Sequence, residues 1–191
     1  MYSTAMILDT LNEYASPRCR LQRLVDHGEY TYLKRGLYES DRTVPGYALA
    51  SAIYNPSYLS FDYALAFHGM IPETVFEFTS ATSGKNRKKL YENHFGRYSY
   101  RDVPMKVFGD GLDLIQVRDT YPVWMAGKEK ALCDKLYALP PIERVETTEE
   151  LLFEDLRIDE DVFSELDVNL IRRMEPKYRC QNVRRLTEYM R

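Results

Sequence analysis

Cysteine is scarce in this sequence, and long apolar runs are missing. The three cysteines, Cys19, Cys133 and Cys180, lie far apart and form neither a CxxC pair nor a zinc-ligand pattern. They fit reduced thiols better than a disulfide framework. No run approaches the roughly eighteen apolar residues of a transmembrane helix, and the N-terminal segment lacks the basic start of a secretion signal. The sequence therefore predicts a cytoplasmic protein with no membrane association.

An excess of one charge is missing as well. The chain has 26 Lys and Arg against 29 Asp and Glu, for a net charge of −3. Net charge alone therefore argues neither for nor against a nucleic-acid partner. Apolar residues make up 45% of the 191 residues and aromatic residues 13%, which is enough for a packed core and excludes a wholly disordered chain.

The charges are arranged in blocks along the chain. Residues 18–35 are basic, and so is the segment 84–89, GKNRKK. Residues 143–167 are strongly acidic, and the tail over 172–191 is basic again. Such blocks can bind different partners, or they can pair with one another in the fold. The sequence leaves both alternatives open.

Residues 1–42 have the pattern of a small winged helix-turn-helix-like module. An apolar stripe predicts one helix over residues 3–14, and the start signal Ser16-Pro17 predicts a second, basic helix. Residues 29–39 alternate and are rich in β-formers, which predicts a hairpin. Two helices fit in the space where a winged helix usually has three, so we expect a shortened module that either docks DNA differently or no longer binds it.

Residues 43–191 predict a mixed α+β domain with a helical C-terminal tail, and the chain as a whole therefore an α+β fold. We expect helices over residues 47–54, 60–68 and 126–137 and strands over residues 74–79, 98–103 and 112–117. The tail is expected to be helical with breaks at Pro140-Pro141 and at Pro176.

The basic helix and the hairpin supply candidate DNA contacts. In a winged helix the basic helix enters the major groove and the wing contacts phosphates. Arg18, Arg20 and Arg23 would then face base edges or the backbone, because the planar guanidinium can donate two bonds to guanine. Lys34 and Arg35 would contact phosphates from the hairpin. The alternative is that all of them are solvated charges of a helix and a hairpin.

The segment 84–89 adds further candidate DNA contacts, which are Lys85, Arg87, Lys88 and Lys89. It is not a phosphate-binding loop, because it lacks the required glycine and Lys-Ser/Thr spacing. A contact with nucleic acid or with an acidic partner is one interpretation of it. Lys128, Glu129 and Lys130 are instead expected on the exposed side of a helix, as a solvated charged face.

No set of residues predicts a catalytic site, a metal site or a cofactor. His68 follows an apolar helical run and precedes Gly69, which is typical of a helix-end residue. Glu77 lies on a predicted strand, but Thr79 stands where the Glu-x-Lys arrangement of a nuclease needs lysine. A degenerate nuclease-like enzyme is kept as an alternative.

Three blocks of sequence stand out together. Residues 35–38 read RGLY; residues 58–72 read YLSFDYALAFHGMIP, with a Tyr-x-Ser start, an Ala-Leu pair and a His-Gly end. Residues 124–137 read WMAGKEKALCDKLY, with the pattern Ala-x-x-Glu-Lys-Ala-x-x-Asp. In this order the blocks resemble the AbiEi-type antitoxins of type IV toxin–antitoxin systems, over residues 16–139.

The resemblance implies a two-part transcriptional regulator rather than an enzyme. Its winged helix-turn-helix would bind repeats in its own promoter, as double-stranded DNA, and its second domain would support antitoxicity and assembly as a homo-oligomer on DNA. The implied partner is a nucleotidyltransferase-like toxin, in abortive infection or plasmid maintenance. The alternative is an interaction module that neutralises a protein partner through the acidic residues 143–167 without binding DNA.

Overall fold

The computed structural model describes residues 1–118, 120–142, 144 and 147–191. The strands are β1 (Tyr2–Ser3), β2 (Thr31–Lys34), β3 (Leu37–Glu39), β4 (Tyr58–Leu59), β5 (Glu77–Thr82), β6 (Lys89–Asn93), β7 (Gly96–Asp102), β8 (Leu112–Val117) and β9 (Tyr121–Ala126). The helices are α1 (Thr4–Thr10), α2 (Pro17–Asp26), α3 (Ala50–Ile53), α4 (Phe61–Phe67), α5 (Lys128–Ala138), α6 (Thr147–Glu149), α7 (Glu160–Ser164), α8 (Val168–Tyr178) and α9 (Gln181–Tyr189). Helices and mixed sheets together make an α+β fold, as predicted.

Two short helical turns and one wider turn complete the secondary structure. Gly46–Leu49, which leads into α3, and Met105–Val107 are 3-10 turns. The π-helical turn Glu150–Asp155 directly continues α6. Residues 143, 145 and 146, part of the predicted acidic segment, lie outside the described residues.

The N-terminal module is a three-stranded antiparallel sheet with α1 and α2 packed beside it. Its strands lie in the order β1-β3-β2, so the predicted hairpin pairs back onto the unpredicted strand β1. α2 begins at Pro17, whose ring sets a helical φ at a position that needs no N–H donor. The two helices share a small hydrophobic core, made of Ile7, Leu11, Leu21 and Leu24.

Helix α1 is shorter than the helix predicted over residues 3–14. The Ser3 hydroxyl caps it by accepting from the Met6 N–H at 3.2 Å, and the helix ends at Thr10. Residues 12–16 are exposed. A short helix depends on packing of its apolar side, so exposed residues do not extend it.

The other side of the small sheet is joined to the main domain. Leu33 is buried in the main hydrophobic core, and Leu37 packs against it. The buried Glu39 carboxylate accepts hydrogen bonds from the Tyr121 hydroxyl and from the Asp41 N–H, each at 3.0 Å. Burial raises the pKa of Glu39, but these hydrogen bonds and the N-terminal ammonium 3.2 Å away together outweigh burial and hold that pKa below its ordinary value. The module and the main domain therefore share a packed boundary.

A six-stranded mixed sheet forms the main domain. Its strand order is β6-β7-β5-β4-β9-β8, with β5–β7 and β4–β9 parallel and the other pairs antiparallel. Helices α4 and α5 pack on each other and on this sheet, and an ion pair between Lys135 and Asp62 joins them. Leu59, Leu65 and Leu132 are among the fully buried side chains of the core.

Two predicted elements are displaced. The helix predicted from residue 126 begins only at Lys128, because residues up to Ala126 belong to β9, a strand that buries Val123 and Met125 and exposes Trp124. The strand predicted over residues 74–79 is instead β5, Glu77–Thr82. The physical reason is burial, since residues 79–82 face the core while Phe76 is 84% exposed.

The predicted break at Pro176 is wrong. Helix α8 passes through Pro176 and ends two residues later, with Arg179 in the left-handed conformation at φ 51°. Proline removes the backbone donor that would bond the Arg172 carbonyl four residues earlier, so the last turn of α8 has one hydrogen bond fewer and depends on packing. The buried side of α8, Ile171, Met174 and Tyr178, keeps the last turn on the core.

All three cysteines are free thiols, and burial raises the pKa of the Cys133 thiol well above its ordinary value. Within the described ranges, no helix combines the length and the apolar character needed to span a bilayer.

Gly46 offers a test of this packing. A Cβ there would lie 2.4 Å from Phe78 Cε2 and 2.4 Å from the Phe95 carbonyl oxygen, whereas a Cβ at Gly109 would meet nothing within 4 Å. We expect Gly46→Ala to lower the free energy of unfolding by about 1–3 kcal/mol through overpacking. Gly109→Ala is the control and should change it little. Urea denaturation followed by circular dichroism measures both, and equal midpoints for the two variants would contradict this packing.

Candidate functional site

The arginines of α2 divide into two kinds. Arg18 and Arg23 have exposed side chains. Arg20 is half-buried, and its guanidinium lies over the Tyr14 ring, 5.3 Å from the centroid. Its buried Nε has no hydrogen-bond partner among the described residues. Arg18 and Arg23 are therefore the two arginines of α2 whose side chains are accessible to a ligand.

The two basic residues of the hairpin also differ. Arg35 is exposed at the tip, next to Gly36, whose φ of 85° suits the turn. Lys34, predicted to contact phosphates, points the other way. Its Nζ donates to the Ile53 carbonyl oxygen at 2.6 Å, which ties the hairpin to the end of α3.

The loop before β6 folds back onto the same turn. Lys85 Nζ donates to the Asn55 carbonyl oxygen at 3.1 Å and lies 5.2 Å from the centroid of the Tyr54 ring. Arg87 Nε donates to the Tyr54 hydroxyl at 3.2 Å, and this bond raises the pKa of Arg87. Lys88 is exposed, and Lys89 is half-buried as the first residue of β6.

The structure thus brings two distant basic segments together. Lys34 and Lys85 bond carbonyls two residues apart, at Ile53 and Asn55, and such groups lie within about 7 Å of each other along a chain. A further link is the hydrogen bond from Asn93 Nδ2 to the Leu33 carbonyl oxygen at 3.2 Å. We call the exposed cations of α2 and of the hairpin tip, Arg18, Arg23 and Arg35, the basic surface.

A closed network of buried polar groups lies elsewhere, around Asp134. The Tyr58 hydroxyl, at 2.9 Å, and the Ser60 hydroxyl, at 2.7 Å, donate to Oδ2 of Asp134. The Tyr178 hydroxyl, at 2.6 Å, and Lys130 Nζ, at 2.9 Å, donate to Oδ1. Lys130 Nζ also donates to the Tyr178 hydroxyl at 2.8 Å. Each carboxylate oxygen therefore accepts two hydrogen bonds.

The network is an ion pair removed from water. Lys130 and Asp134 are both 0% exposed. The Lys130 ammonium lies 5.5 Å from the Tyr58 centroid, a distance at which a ring face attracts a cation, and it contacts Tyr178 through that residue's hydroxyl. Burial, and then the Asp134 charge, raise the pKa of both tyrosines well above the ordinary value, so both stay protonated donors. The network can hold the fold together but cannot reach a solvent-borne substrate.

Lys130 corrects the predicted charged face of α5. Lys128 and Glu129 are partly exposed and bond the C-terminal region: Lys128 pairs with Glu165 at 3.1 Å, and Glu129 accepts from the Asp167 N–H at 2.9 Å. Lys130 is fully buried because β9, α4, α8 and α9 surround α5 on most sides. The i,i+4 spacing of Lys130 and Asp134 was visible in the sequence, but such pairs are also typical of exposed helices.

The network joins the two longer sequence blocks. Tyr58 and Ser60 belong to the first block, and Lys130 and Asp134 belong to the second. Tyr178 comes from the tail, outside both blocks, and no signal in the sequence singled it out.

His68 and Ser60 stand at the two ends of α4, and each contacts a group in the second sequence block, residues 124–137. His68 is the C-cap of α4, as predicted, and its Nε2 lies 2.8 Å from the Ala126 carbonyl oxygen. Ser60 stands at the N-cap position but gives its hydroxyl to Asp134 instead of capping the helix. The next residue, Phe61, has a φ of 56°, a conformation that is strained for an aromatic residue.

Among the described residues, the structure offers no set of ligands for a metal ion, including one for a metal-dependent nuclease. Across the part of the chain that the structure describes, no group of three or more His, Cys, Asp or Glu side chains could hold a metal ion. Glu77 does lie on a strand, β5, and the Thr79 hydroxyl there donates to the Ser60 carbonyl oxygen at 2.6 Å. Thr79 therefore has a local structural bond.

A scan of the sequence against models of protein families finds no match, and a search of curated proteins finds none either. The likeness to AbiEi-type antitoxins consequently depends on the sequence blocks. No family membership is assigned to the chain.

Substitution of Lys130 tests whether the buried network stabilises the fold. Lys130→Ala leaves the Asp134 carboxylate buried without its cation, and breaking a buried pair in this way costs about 3–5 kcal/mol. The control is Lys128→Ala, which breaks a pair whose side chains are 33% and 68% exposed and should cost less than about 1 kcal/mol. Guanidinium unfolding measures both. A loss for Lys130→Ala no larger than the control would refute the structural role of the network.

Proposed function

We propose that the chain is an AbiEi-like antitoxin and transcriptional autorepressor. It binds double-stranded promoter DNA with the basic surface and is not an enzyme. The observation that carries the proposal is that the exposed Arg18 of α2 and Arg35 of the hairpin tip line the same cleft, so that cations from two separate elements share one surface. A surface of this kind attracts phosphates along a duplex and releases their counterions.

The order of elements in the module supports the same proposal. A strand, two helices and a hairpin that pairs back onto the strand fit the order of elements expected of a shortened winged helix-turn-helix-like module. In that arrangement α2 is the helix that enters the major groove. Arg18 and Arg23 contact DNA from α2, and Arg35 contacts it from the hairpin tip.

The rest of the proposal comes from the resemblance. The partner is a nucleotidyltransferase-like toxin, the setting is abortive infection or plasmid maintenance, and the protein acts in the cytoplasm as a homo-oligomer on DNA. The joining of the two sequence blocks by Asp134 favours the view that they are kept together for the fold of the second domain.

DNA binding is tested by mobility shift with the DNA directly upstream of the gene and with random DNA of equal length. We expect preference for the upstream duplex, with log K falling by about 0.9 per phosphate contact against log salt. Replacing Arg18, Arg23 and Arg35 by Ala should weaken binding at least tenfold and flatten the salt slope. The control replaces the exposed Arg97, Arg172 and Arg173 by Ala, which removes the same charge elsewhere. No preference for the upstream DNA, or equal losses of DNA affinity in the two triple variants, would contradict the proposed repressor function.

A second candidate function is neutralisation of a protein partner without DNA, and one observation favours it. Glu160 and Asp161 are exposed at the start of α7, whereas Glu165 of the same segment pairs with Lys128. The carboxylates of Glu160 and Asp161 are thus available to a basic partner.

Co-purification separates this candidate from the repressor. The protein is co-expressed with the product of the neighbouring gene, with and without Glu160→Lys and Asp161→Lys. On the second candidate, charge reversal abolishes the complex because opposite charges no longer face each other. The Arg18, Arg23 and Arg35 triple variant is the control and should retain the complex. Co-purification that ignores the charge reversal would rule this surface out.

A further inference from the structure

A cleft of about 650 Å³ lies between α2 and the hairpin. Its size is within the range of small-molecule and nucleotide sites, roughly 300–1,000 Å³. One wall is helix α2, with Leu21 and Val25, and the other is the sheet, with Tyr32 and Tyr38. The cleft is therefore a slot with aliphatic side chains on one side and aromatic rings on the other.

The aromatic wall belongs to a row of tyrosines across the small sheet. Tyr38 on β3 is paired in register with Tyr2 on β1 and with Tyr32 on β2. The rings of Tyr32 and Tyr38 meet edge to face, with centroids 5.9 Å apart at 75°. Tyr32 is 49% exposed, so a large part of its surface is open to a ligand. A planar ring can stack there.

The rim of the cleft is positively charged. Arg18 from α2 and Arg35 from the hairpin tip both line it, and among the described residues no carboxylate does. The Gln22 amide also lines it, although its Nε2 donates to Asp26 Oδ1 at 2.9 Å. A planar apolar slot between two guanidinium groups is complementary to a base that carries a phosphate at its side.

Stacking on this wall requires a base whose face is uncovered. Bases inside a duplex have both faces covered by their neighbours, whereas single strands stack their unpaired bases on aromatic side chains. We propose that the cleft binds an unpaired nucleotide of a single-stranded nucleic acid, with its base between Tyr32 and α2 and its phosphates at Arg18 and Arg35. This rests on the proposed function, since it assigns a second mode of nucleic-acid binding to the same module.

The test compares Tyr32→Ala with Tyr32→Phe. The probes are a labelled single-stranded 12-mer, the blunt duplex of the same sequence and a free nucleoside monophosphate, each measured by fluorescence anisotropy. Tyr32→Ala should weaken binding of the single strand by about tenfold or more, because one stacked base is lost. Tyr32→Phe keeps the ring and should keep the affinity. The control Phe76→Ala removes another exposed aromatic ring, which does not line the cleft, and should leave the affinity unchanged.

A second variant guards against misfolding of Tyr32→Ala. Arg35→Ala, at the exposed hairpin tip, should also weaken the single strand and should lower the salt slope by about 0.7 per lost phosphate contact. Equal affinity of wild type, Tyr32→Ala and Arg35→Ala for the single strand overturns the inference. A free nucleoside monophosphate that binds as tightly as the 12-mer overturns the assignment to a strand.

The two proposals fail separately. If Tyr32→Ala loses the single strand but keeps its preference for the upstream duplex, the cleft assignment is supported and the repressor stands. If duplex preference is absent while single-strand binding depends on Tyr32, the repressor fails and the cleft assignment is supported. If single-strand binding ignores Tyr32, the inference fails whatever the duplex result.

Discussion

The buried ion pair between Lys130 and Asp134 is the constraint on which the main domain depends. A charge without water is stable only where every remaining donor and acceptor is matched. That condition requires Tyr58 on β4, Ser60 before α4 and Tyr178 at the end of α8 to meet at one carboxylate. The Asp134 side chain therefore joins three segments that are distant in sequence, namely residues 58–60, helix α5 and the end of α8. Phe61, which directly follows Ser60, has a strained φ, and such a conformation persists only where the surrounding structure holds it in place.

Local signals were enough to predict some of the fold. Pro17 at a helix start, the alternating residues around Gly36 and the alternation of β8 each act over a few residues, and the structure has α2, the hairpin and β8 where they indicated. Strands β1 and β4 have two residues each and carry no periodicity of their own. They exist because a partner strand is beside them, which a sequence pattern does not record.

In the candidate site, too, some features follow from the local sequence and others depend on tertiary contacts. The exposed arginines of α2 and the hairpin tip follow from helix periodicity and turn chemistry. The burial of Lys130 does not, since it depends on elements that pack around α5 from several parts of the chain. The direction of Lys34 does not either, because its acceptor at Ile53 is a tertiary contact. The sequence identifies a basic residue as a candidate DNA contact. Whether its side chain faces outward depends on the hydrogen-bond acceptors that the fold places near it.

On the proposed function, the hydrogen bond from Lys34 to Ile53 affects how a DNA duplex fits the protein. It fastens the hairpin to the main domain, and the bonds of Lys85 and Arg87 fasten the neighbouring loop to the same turn. The contact face is then a stiff template with little freedom to follow the curvature of a duplex. The duplex has to supply the fit by bending or by changing its groove width, at an energy that depends on its sequence. Selection among promoter sites would accordingly extend to base pairs that no side chain touches.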